Sequence, residues 1–225
     1  MDIVSKLYHY FLSDDSKYEA NFDTREIHLT GLIQCFRRYV LEKTNQYYQK
    51  RNVWKKMRGK ALHEYLESLI SFLFSDAEVE SEKSVVLTSD NGFKFKVYYK
   101  PDAIVDGTVI EIKTAYLPKK LTEKDLAVFR DYVSVQTMGY CAFEGLHKAI
   151  ALVWDLSSDS LMQFPLYYRR SALNNFIRTL ANRGEDFFSR RFKINPLSEY
   201  ECKKCPFRYT LCKQRQLWEY KRKGR

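Results

Sequence analysis

The clearest pattern of hydrophobic and polar positions is a pair of short apolar runs on either side of Asp106-Gly107. An Asp-Gly pair between two such runs predicts a tight β-hairpin with a two-residue loop. In that register Asp102 lies opposite Glu111, so the two carboxylates become cross-strand neighbours about 5 Å apart. Lys113 lies two residues beyond Glu111 and therefore points to the same face of the hairpin.

Helical spacing of apolar residues predicts further elements along the chain. The predicted helices cover residues 2–13, a segment after Thr30 that carries Cys35, then 52–74, 122–143 and 170–190. The predicted strands cover 84–88, 93–99, 147–156 and 161–166. This order of helices, a meander of strands, a helix and more strands indicates an α/β fold, a mixed sheet with helices packed on it.

The 225 residues carry a net charge of +10, which favours an anionic partner, with nucleic acid first and an acidic membrane surface second. No apolar run is long enough for a transmembrane helix, and the first residues lack the features of a signal peptide. We therefore expect a cytoplasmic protein that does not bind a membrane. In that compartment the five cysteines are expected to bind metal rather than to form disulfides.

Two opposed carboxylates repel each other, and a hard divalent cation between them removes the repulsion. Asp102 and Glu111 are therefore the candidate ligands of Mg²⁺ or Mn²⁺, and Lys113 is placed to steady an anion or to polarise a water. This combination indicates a metal-dependent phosphodiesterase. The alternative is that these are ordinary surface residues, because Asp, Glu and Lys are common on the solvent face of strands.

Two helices carry further candidates for this site. His63 could be a third ligand or an orienting residue, and Gly59, one turn earlier, would let the helix backbone approach the sheet; otherwise His63 is an ordinary helix-surface histidine. Gln136 and Tyr140 share a helix face and could bind a phosphate or hold Lys113 in place. Their alternative role is packing of the helix on the sheet.

The last part of the chain contains Cys202, Cys205 and Cys212 at the short spacing of metal ligands. Cys35 is the candidate for a fourth ligand, and four thiolates suit zinc or an iron–sulfur cluster. A distant fourth ligand and Pro206 directly after a cysteine favour the cluster, with a small zinc site or unligated thiols as alternatives. Cys141, next to Tyr140, is interpreted as a core residue.

Basic residues with aromatic residues among them extend through the last helix and the tail, a combination typical of single-strand binding. A solvated helix face and a frayed tail are the alternative. The residues are Arg169, Arg170, Arg178, Arg183, Arg190, Arg191, Trp218, Tyr220 and the basic positions of 213–225.

Taken in order, these motifs resemble the RecB-like branch of the PD-(D/E)xK nucleases, and within it the CRISPR-associated exonuclease family, Cas four. The resemblance extends from about residue 30 to 215. The matching positions are Cys35, Gly59 to His63, Asp102, Glu111-Ile112-Lys113, Gln136 to Tyr140, and Cys202, Cys205 and Cys212.

The resemblance implies a restriction-endonuclease-like mixed sheet flanked by helices. It also implies a four-cysteine iron–sulfur cluster, usually 4Fe–4S, that joins the N- and C-terminal segments. The corresponding divisions are a helical segment at 1–50, the nuclease core at 51–195, and the cluster-binding segment with its basic tail at 196–225.

By the same resemblance, His63, Asp102, Glu111 and the backbone carbonyl of Ile112 bind Mg²⁺ or Mn²⁺, and Lys113 is catalytic together with Asp102 and Glu111. The implied activity is exonucleolytic cleavage of single-stranded DNA, 5′ to 3′. The implied role is antiviral defense, in which DNA fragments are processed before a CRISPR integrase complex inserts them.

Two other functions stay open at this point. One is a DNA-end-binding adaptor of the integrase whose cleavage is incidental, and the other is the nuclease subunit of a recombination-repair complex. The chain lacks the phosphate-binding GxxxxGK[ST] motif, so it has no helicase motor of its own. The sequence leaves open the oligomeric state and the choice between one and two catalytic metals.

Overall fold

A computed structural model describes residues 20–44, 46–115, 123–191, 196–197, 201–202, 205 and 207. The predicted helix at 2–13, the ligand candidate Cys212 and the basic tail lie outside these residues. No helix in the described part of the chain is both long enough and apolar enough to cross a membrane.

The helices are α1 (Leu29–Ile33), α2 (Phe36–Thr44), α3 (Gln46–Leu73), α4 (Glu123–Glu144) and α5 (Arg170–Phe188). The strands are β1 (Glu26–His28), β2 (Glu78–Val79), β3 (Lys83–Thr88), β4 (Lys94–Tyr99), β5 (Ala103–Val105), β6 (Thr108–Ala115), β7 (Lys148–Asp155) and β8 (Ser160–Tyr167). The predicted strands and the helices over 122–143 and 170–190 are confirmed within two residues at their ends, and the helix predicted over 52–74 begins six residues earlier, at Gln46.

The larger sheet contains five strands in the order β2-β5-β6-β7-β8. β6 and β7 are parallel over eight residue pairs, and the other neighbours are antiparallel. Parallel neighbours need a long crossover connection, and α4 lies within the segment that links β6 to β7. The mixed sheet expected from the sequence is therefore present, and it places β6, which carries Glu111 and Lys113, at its centre.

A second sheet of three strands has the order β1-β4-β3. β1 lies parallel to β4, and β3 pairs antiparallel with β4. The sequence did not indicate β1 or β2, because strands of three and two residues are too short to show a period-two pattern. β1 pairs with the edge of β4, and β2 pairs with the edge of β5.

The core is divided by the five-stranded sheet. On one side Val109 of β6 packs in a large cluster with Val133 of α4 and Leu180 of α5. On the other side Ile112 of β6 packs in a smaller cluster with Leu66 of α3. β6 is thus buried on both faces from Val109 to Ile112, and a charge on that part of the strand is withdrawn from bulk water.

The predicted helix through Cys35 is wrong at that residue. α1 ends at Ile33, Gln34 is extended with ψ of 151°, and α2 begins only at Phe36. Cys35 therefore lies in a bend between two helices. The bend is held from outside, because the side chain of Arg183 donates hydrogen bonds to the carbonyls of Leu32 and Gln34 at 3.1 and 3.0 Å.

Candidate metal centre

The β5–β6 hairpin has the predicted loop and register. Asp106 and Gly107 have φ of 47° and 66°, the left-handed conformations that a two-residue hairpin loop requires. Val105 pairs with Thr108, and the ladder continues to the pair of Ala103 with Ile110. Asp102 lies just beyond the last ladder pair.

The Asp102 carboxylate joins this hairpin to α3. Its Oδ2 atom accepts a hydrogen bond of 2.6 Å from the Ile112 backbone N–H, and Nδ1 of His63 lies 3.8 Å from the same oxygen. A Cβ added to Gly59 on α3 would lie 3.3 Å from Oγ1 of Thr114 on β6. The absence of a side chain at Gly59 thus lets α3 pass close to β6, as the sequence predicted.

Glu111 is fully buried at the centre of the sheet. One of its oxygens, Oε1, contacts the Lys113 ammonium group. The other, Oε2, is buried and has no hydrogen-bond partner. Burial, and next the nearby Asp102 charge, raise the pKa of Glu111 to about 8. An unpartnered buried carboxylate oxygen is a costly feature, and it points to a ligand that completes the site.

Lys113 is held by two neighbours. Its Nζ atom contacts Glu111 and donates a hydrogen bond of 3.0 Å to Oε1 of Gln136. The Gln136 amide in turn donates to the Tyr140 hydroxyl at 2.8 Å. Burial alone would lower the pKa of Lys113, but the charges of Glu111 and Asp102 outweigh it and raise the pKa. The predicted contact of Gln136 with Lys113 is present, and Tyr140 is also a buried core residue.

Glu67 is a member of this site that the sequence interpretation missed. It lies one turn after His63 on α3, and only 5% of its surface is exposed. A nitrogen of His63 and carboxylate oxygens of Glu67 and Asp102 all lie within 4.8 Å of one another. Burial, followed by the charges of Glu80 and Asp102, raises the pKa of Glu67 to about 7. The sequence signal for Glu67 was its position four residues after His63, which places the two side chains on the same face of a helix.

The carboxylates of this group suit a hard divalent cation, because Mg²⁺ and Mn²⁺ prefer carboxylate oxygens. Lys113 contacts Glu111, the Asp102 charge acts on Glu111, and α3 adds His63 and Glu67 beside Asp102. The ligand role of the Ile112 carbonyl stays a prediction.

The cysteine segment approaches the chain near Cys35. Cys35 is buried, and its backbone N–H donates to the carboxylate of Glu201, the residue directly before Cys202. Cys205 follows in the same short segment, where its N–H reaches the Cys202 carbonyl at 3.4 Å. The structure therefore brings the N- and C-terminal cysteine segments together, and Cys212 lies outside the described residues.

The burial of Cys141 and of Arg183 decides two other interpretations of the sequence. Cys141 is fully buried in the core, as predicted. Arg183, expected among basic residues that face nucleic acid, is buried and bonded to main-chain carbonyls, so that expectation is wrong for this residue. Arg178, by contrast, is exposed and lies 2.9 Å from the Asp90 carboxylate.

Comparison with protein-family models and with curated proteins finds no match. Among solved structures, the chain is similar to the crystal structure of SSO0001, with a TM-score of 0.66 and 23% identity over 92% of this chain and 95% of that one. This likeness shows that the two chains share a fold.

Two more distant structures are exonucleases. One is a phage-related exonuclease from Haemophilus somnus 129PT, with a TM-score of 0.42 and 11% identity over 60% of this chain and 71% of that one. The other is the alkaline exonuclease LHK-Exo from Laribacter hongkongensis, with a TM-score of 0.37 and 11% identity over 82% and 94%. Fold and site together define a mixed α/β protein with a candidate divalent-metal centre.

Proposed function

We propose that this protein is a metal-dependent DNA exonuclease of the Cas four family. The observation that carries the proposal is the state of Glu111, a fully buried carboxylate with one oxygen on Lys113 and the other without a partner. A purely structural ion pair would satisfy both oxygens. In Glu111, Lys113 fixes Oε1, and Oε2 has no partner and is therefore available to bind a cation.

In this function His63, Asp102, Glu111 and the Ile112 carbonyl hold Mg²⁺ or Mn²⁺. When bound, the cation polarises a phosphoryl oxygen and lowers the pKa of the attacking water. Lys113 stabilises the negative charge that develops on the phosphoryl group or positions that water. Gln136 restricts the Lys113 ammonium group to one place, which lowers the entropy lost when the substrate binds.

We further propose that Cys35, Cys202, Cys205 and Cys212 ligate a 4Fe–4S cluster. The bond from the Cys35 N–H to Glu201 supports this assignment, because it brings Cys35 beside the segment that begins the cysteine motif. A buried Cys35 and two half-buried thiols in a polar segment fit thiolate ligands better than core residues. The cluster would form the appendage that joins residues 1–50 to 196–225 around the core at 51–195.

The substrate assigned here is single-stranded DNA cut from the 5′ end, in the preparation of fragments for a CRISPR integrase complex in the cytoplasm. The net charge of +10 supports a polyanionic substrate. The integrase partner and the polarity come from the family resemblance.

The test is cleavage of single-stranded DNA labelled at the 5′ or the 3′ end. Purified, cofactor-loaded protein is incubated with Mn²⁺ or with EDTA, and Lys113→Ala is compared with Lys94→Ala, which removes an exposed lysine of β4. We expect cleavage with Mn²⁺ only, a loss of roughly 10²- to 10³-fold in Lys113→Ala, and little change in Lys94→Ala. The two labels give the polarity.

The result that overturns the proposal is the absence of cleavage by folded, cofactor-loaded protein. DNA-end binding in that protein would then favour the adaptor function. The cysteine assignment has its own readout, because a cluster makes the protein brown with broad visible absorption. Colourless protein with one zinc per chain would contradict the cluster and leave the nuclease proposal untouched.

A further inference from the structure

Five large apolar side chains at the C-terminal end of α3 and directly after it are exposed to water. Their exposed fractions run from 37% at Leu69 to 85% at Phe72. An exposed group of large apolar residues, unlike a single one, marks an interaction site. We call this group the apolar face of α3, and its residues are Tyr65, Leu69, Phe72, Leu73 and Phe74.

Helical spacing joins most of these residues into one stripe. Tyr65, Leu69 and Phe72 are four and three residues apart, so their side chains are neighbours on the helix surface. A surface helix typically has a single apolar stripe, which it buries on the core. α3 already has that stripe in Leu66 and Ile70, which pack against the five-stranded sheet. The apolar face is therefore a second stripe, which the sheet leaves exposed.

The surroundings of the apolar face are acidic. Residues 61–82 contain no lysine or arginine, although the whole chain has a net charge of +10. Among their acidic residues Glu67 is buried and the others are exposed, and two of the exposed ones pair with Lys83 and Lys100. This region is thus opposite in charge to the chain as a whole. Its acidic residues are Glu64, Glu67, Asp76, Glu78, Glu80 and Glu82.

This combination of apolar and acidic residues disfavours several partners. A nucleic-acid strand and an anionic membrane surface have the same sign of charge as the exposed carboxylates. A second copy that presented the same face across a two-fold axis would bring two sets of carboxylates together. The apolar face instead suits a polypeptide segment that combines large apolar side chains with lysine and arginine.

The chain itself contains a segment of this composition. Residues 213–225 carry six basic residues against one acid, together with Leu217, Trp218 and Tyr220. Phe207, the last residue that the structure describes, is buried in the protein. The 11 residues from Phe207 to Trp218 span up to about 36–40 Å when extended. This reach is close to the length of α3, which is about 42 Å for its 28 residues.

We propose that residues 213–225 bind the apolar face of α3 in the same chain. Leu217, Trp218 and Tyr220 supply the apolar contact, and the basic residues supply the positive charge that the exposed carboxylates attract. The inference goes beyond the proposed function and does not rest on it. It gives the basic tail a protein surface to bind, besides the nucleic-acid strand for which its composition is typical.

The test is photo-cross-linking of the whole, cofactor-loaded chain from position 72 at low ionic strength, where exposed charges are least screened. Phe72→benzoylphenylalanine places a photoreactive ring at the most exposed residue of the face. The irradiated protein is digested, and the joined peptides are identified by mass spectrometry. We expect cross-links to residues 213–225 in products of single-chain mass, with a yield that does not depend on protein concentration. Tyr167→benzoylphenylalanine, at a position on β8 that is 74% exposed, should give no cross-link to that segment.

Two pairs of substitutions, made in the chain with the photoreactive residue at position 72, test the apolar and the charged contact separately. Trp218→Ala with Tyr220→Ala should lower the cross-link yield by about 10-fold or more, because the apolar contact of two aromatic rings is lost. Glu64→Gln with Asp76→Asn should lower it by about 2- to 30-fold, the range expected for two exposed ion pairs.

The matched control for the charge variants is Asp23→Asn with Asp131→Asn, which removes two exposed carboxylates from other parts of the surface. It should leave the yield unchanged. A yield that the Glu64 and Asp76 variants do not lower would overturn the assignment, because charge would then not select the occupant.

Two further results would overturn the inference. One is the absence of any cross-link between position 72 and residues 213–225. The other is a cross-link found only in products of double mass, with a yield that rises with protein concentration. That result would assign the apolar face to the tail of a second copy and would contradict binding within one chain.

Discussion

Arg183 on α5 holds the bend that contains Cys35, and its removal should destabilise the protein strongly. The side chain is buried, donates to the Leu32 and Gln34 carbonyls at 3.1 and 3.0 Å, and lies 4.7 Å from the centre of the Phe36 ring. Burial lowers its pKa to about 10, partly opposed by the charge of Glu201, so the residue stays a cation at neutral pH.

The magnitude follows from these contacts. Each hydrogen bond to a charged donor contributes about 1.5–3 kcal/mol, and the ring contact adds about 0.5–2 kcal/mol. Arg183→Met keeps much of the apolar stem but leaves both carbonyls without this donor, so we expect a loss of about 4 kcal/mol. At about 2–4 °C per kcal/mol for a chain of this size, the melting temperature should fall by about 8–16 °C.

The assay is thermal unfolding followed by circular dichroism, with Arg178→Met as the matched control on the same helix. Arg178 is 71% exposed in its ion pair with Asp90, so its loss should leave the melting temperature almost unchanged. If Arg183→Met melts within about 2 °C of the unmodified protein, the two carbonyls do not depend on Arg183 and the explanation of the bend is wrong.

Two further predictions concern buried charge and packing. Raised pKa values of Glu111 and Glu67, at about 8 and about 7 against 4.5 in the unfolded chain, mean that the folded state binds these protons more tightly. Metal-free protein should therefore lose a few kcal/mol of stability as the pH rises from about 4.5 to about 8, and a flat profile of melting temperature in EDTA would contradict this. The lowered pKa of His28, about 4 against 6.5 in the unfolded chain, acts in the opposite direction between those two values, so the loss should be steepest above pH 6.5. Gly184→Ala would place a Cβ 2.0 Å from the Phe95 ring, so we expect a loss of about 1–3 kcal/mol in denaturant unfolding, and unchanged stability would show that the ring moves freely.

The elements that could be predicted from the sequence are those specified by nearby residues. Asp106-Gly107 favours one loop type, and that loop fixes which residues of β5 and β6 face each other. The predicted hairpin register is confirmed for this reason, and the roles of Asp102, Glu111 and Lys113 stay predictions. The same holds for the long strands β6 and β7, whose apolar runs are long enough to show their period.

Features that depend on distant parts of the chain could not be predicted in this way. Cys35 was expected on a helix because its neighbours favour one, but Arg183, 148 positions later in the sequence, stabilises the bend instead. The same contact explains why Arg183 was misassigned to a basic surface. Glu67 resembles any charged residue of a helix until the hairpin is packed against α3.

Rigid surroundings explain how the candidate metal centre can keep Oε2 of Glu111 without a partner and hold other carboxylates close to it. Glu111 lies on the central strand β6, which pairs with β7 at this residue and with β5 up to Ile110, so it cannot swing out to water without disrupting the ladder. Glu67 is fixed in the same way by Leu66 beside it, which packs on the sheet. A flexible site would relax and pair these groups with water. The framework instead keeps their repulsion in the folded state, and a cation that relieves it gains binding energy that a relaxed site would lack.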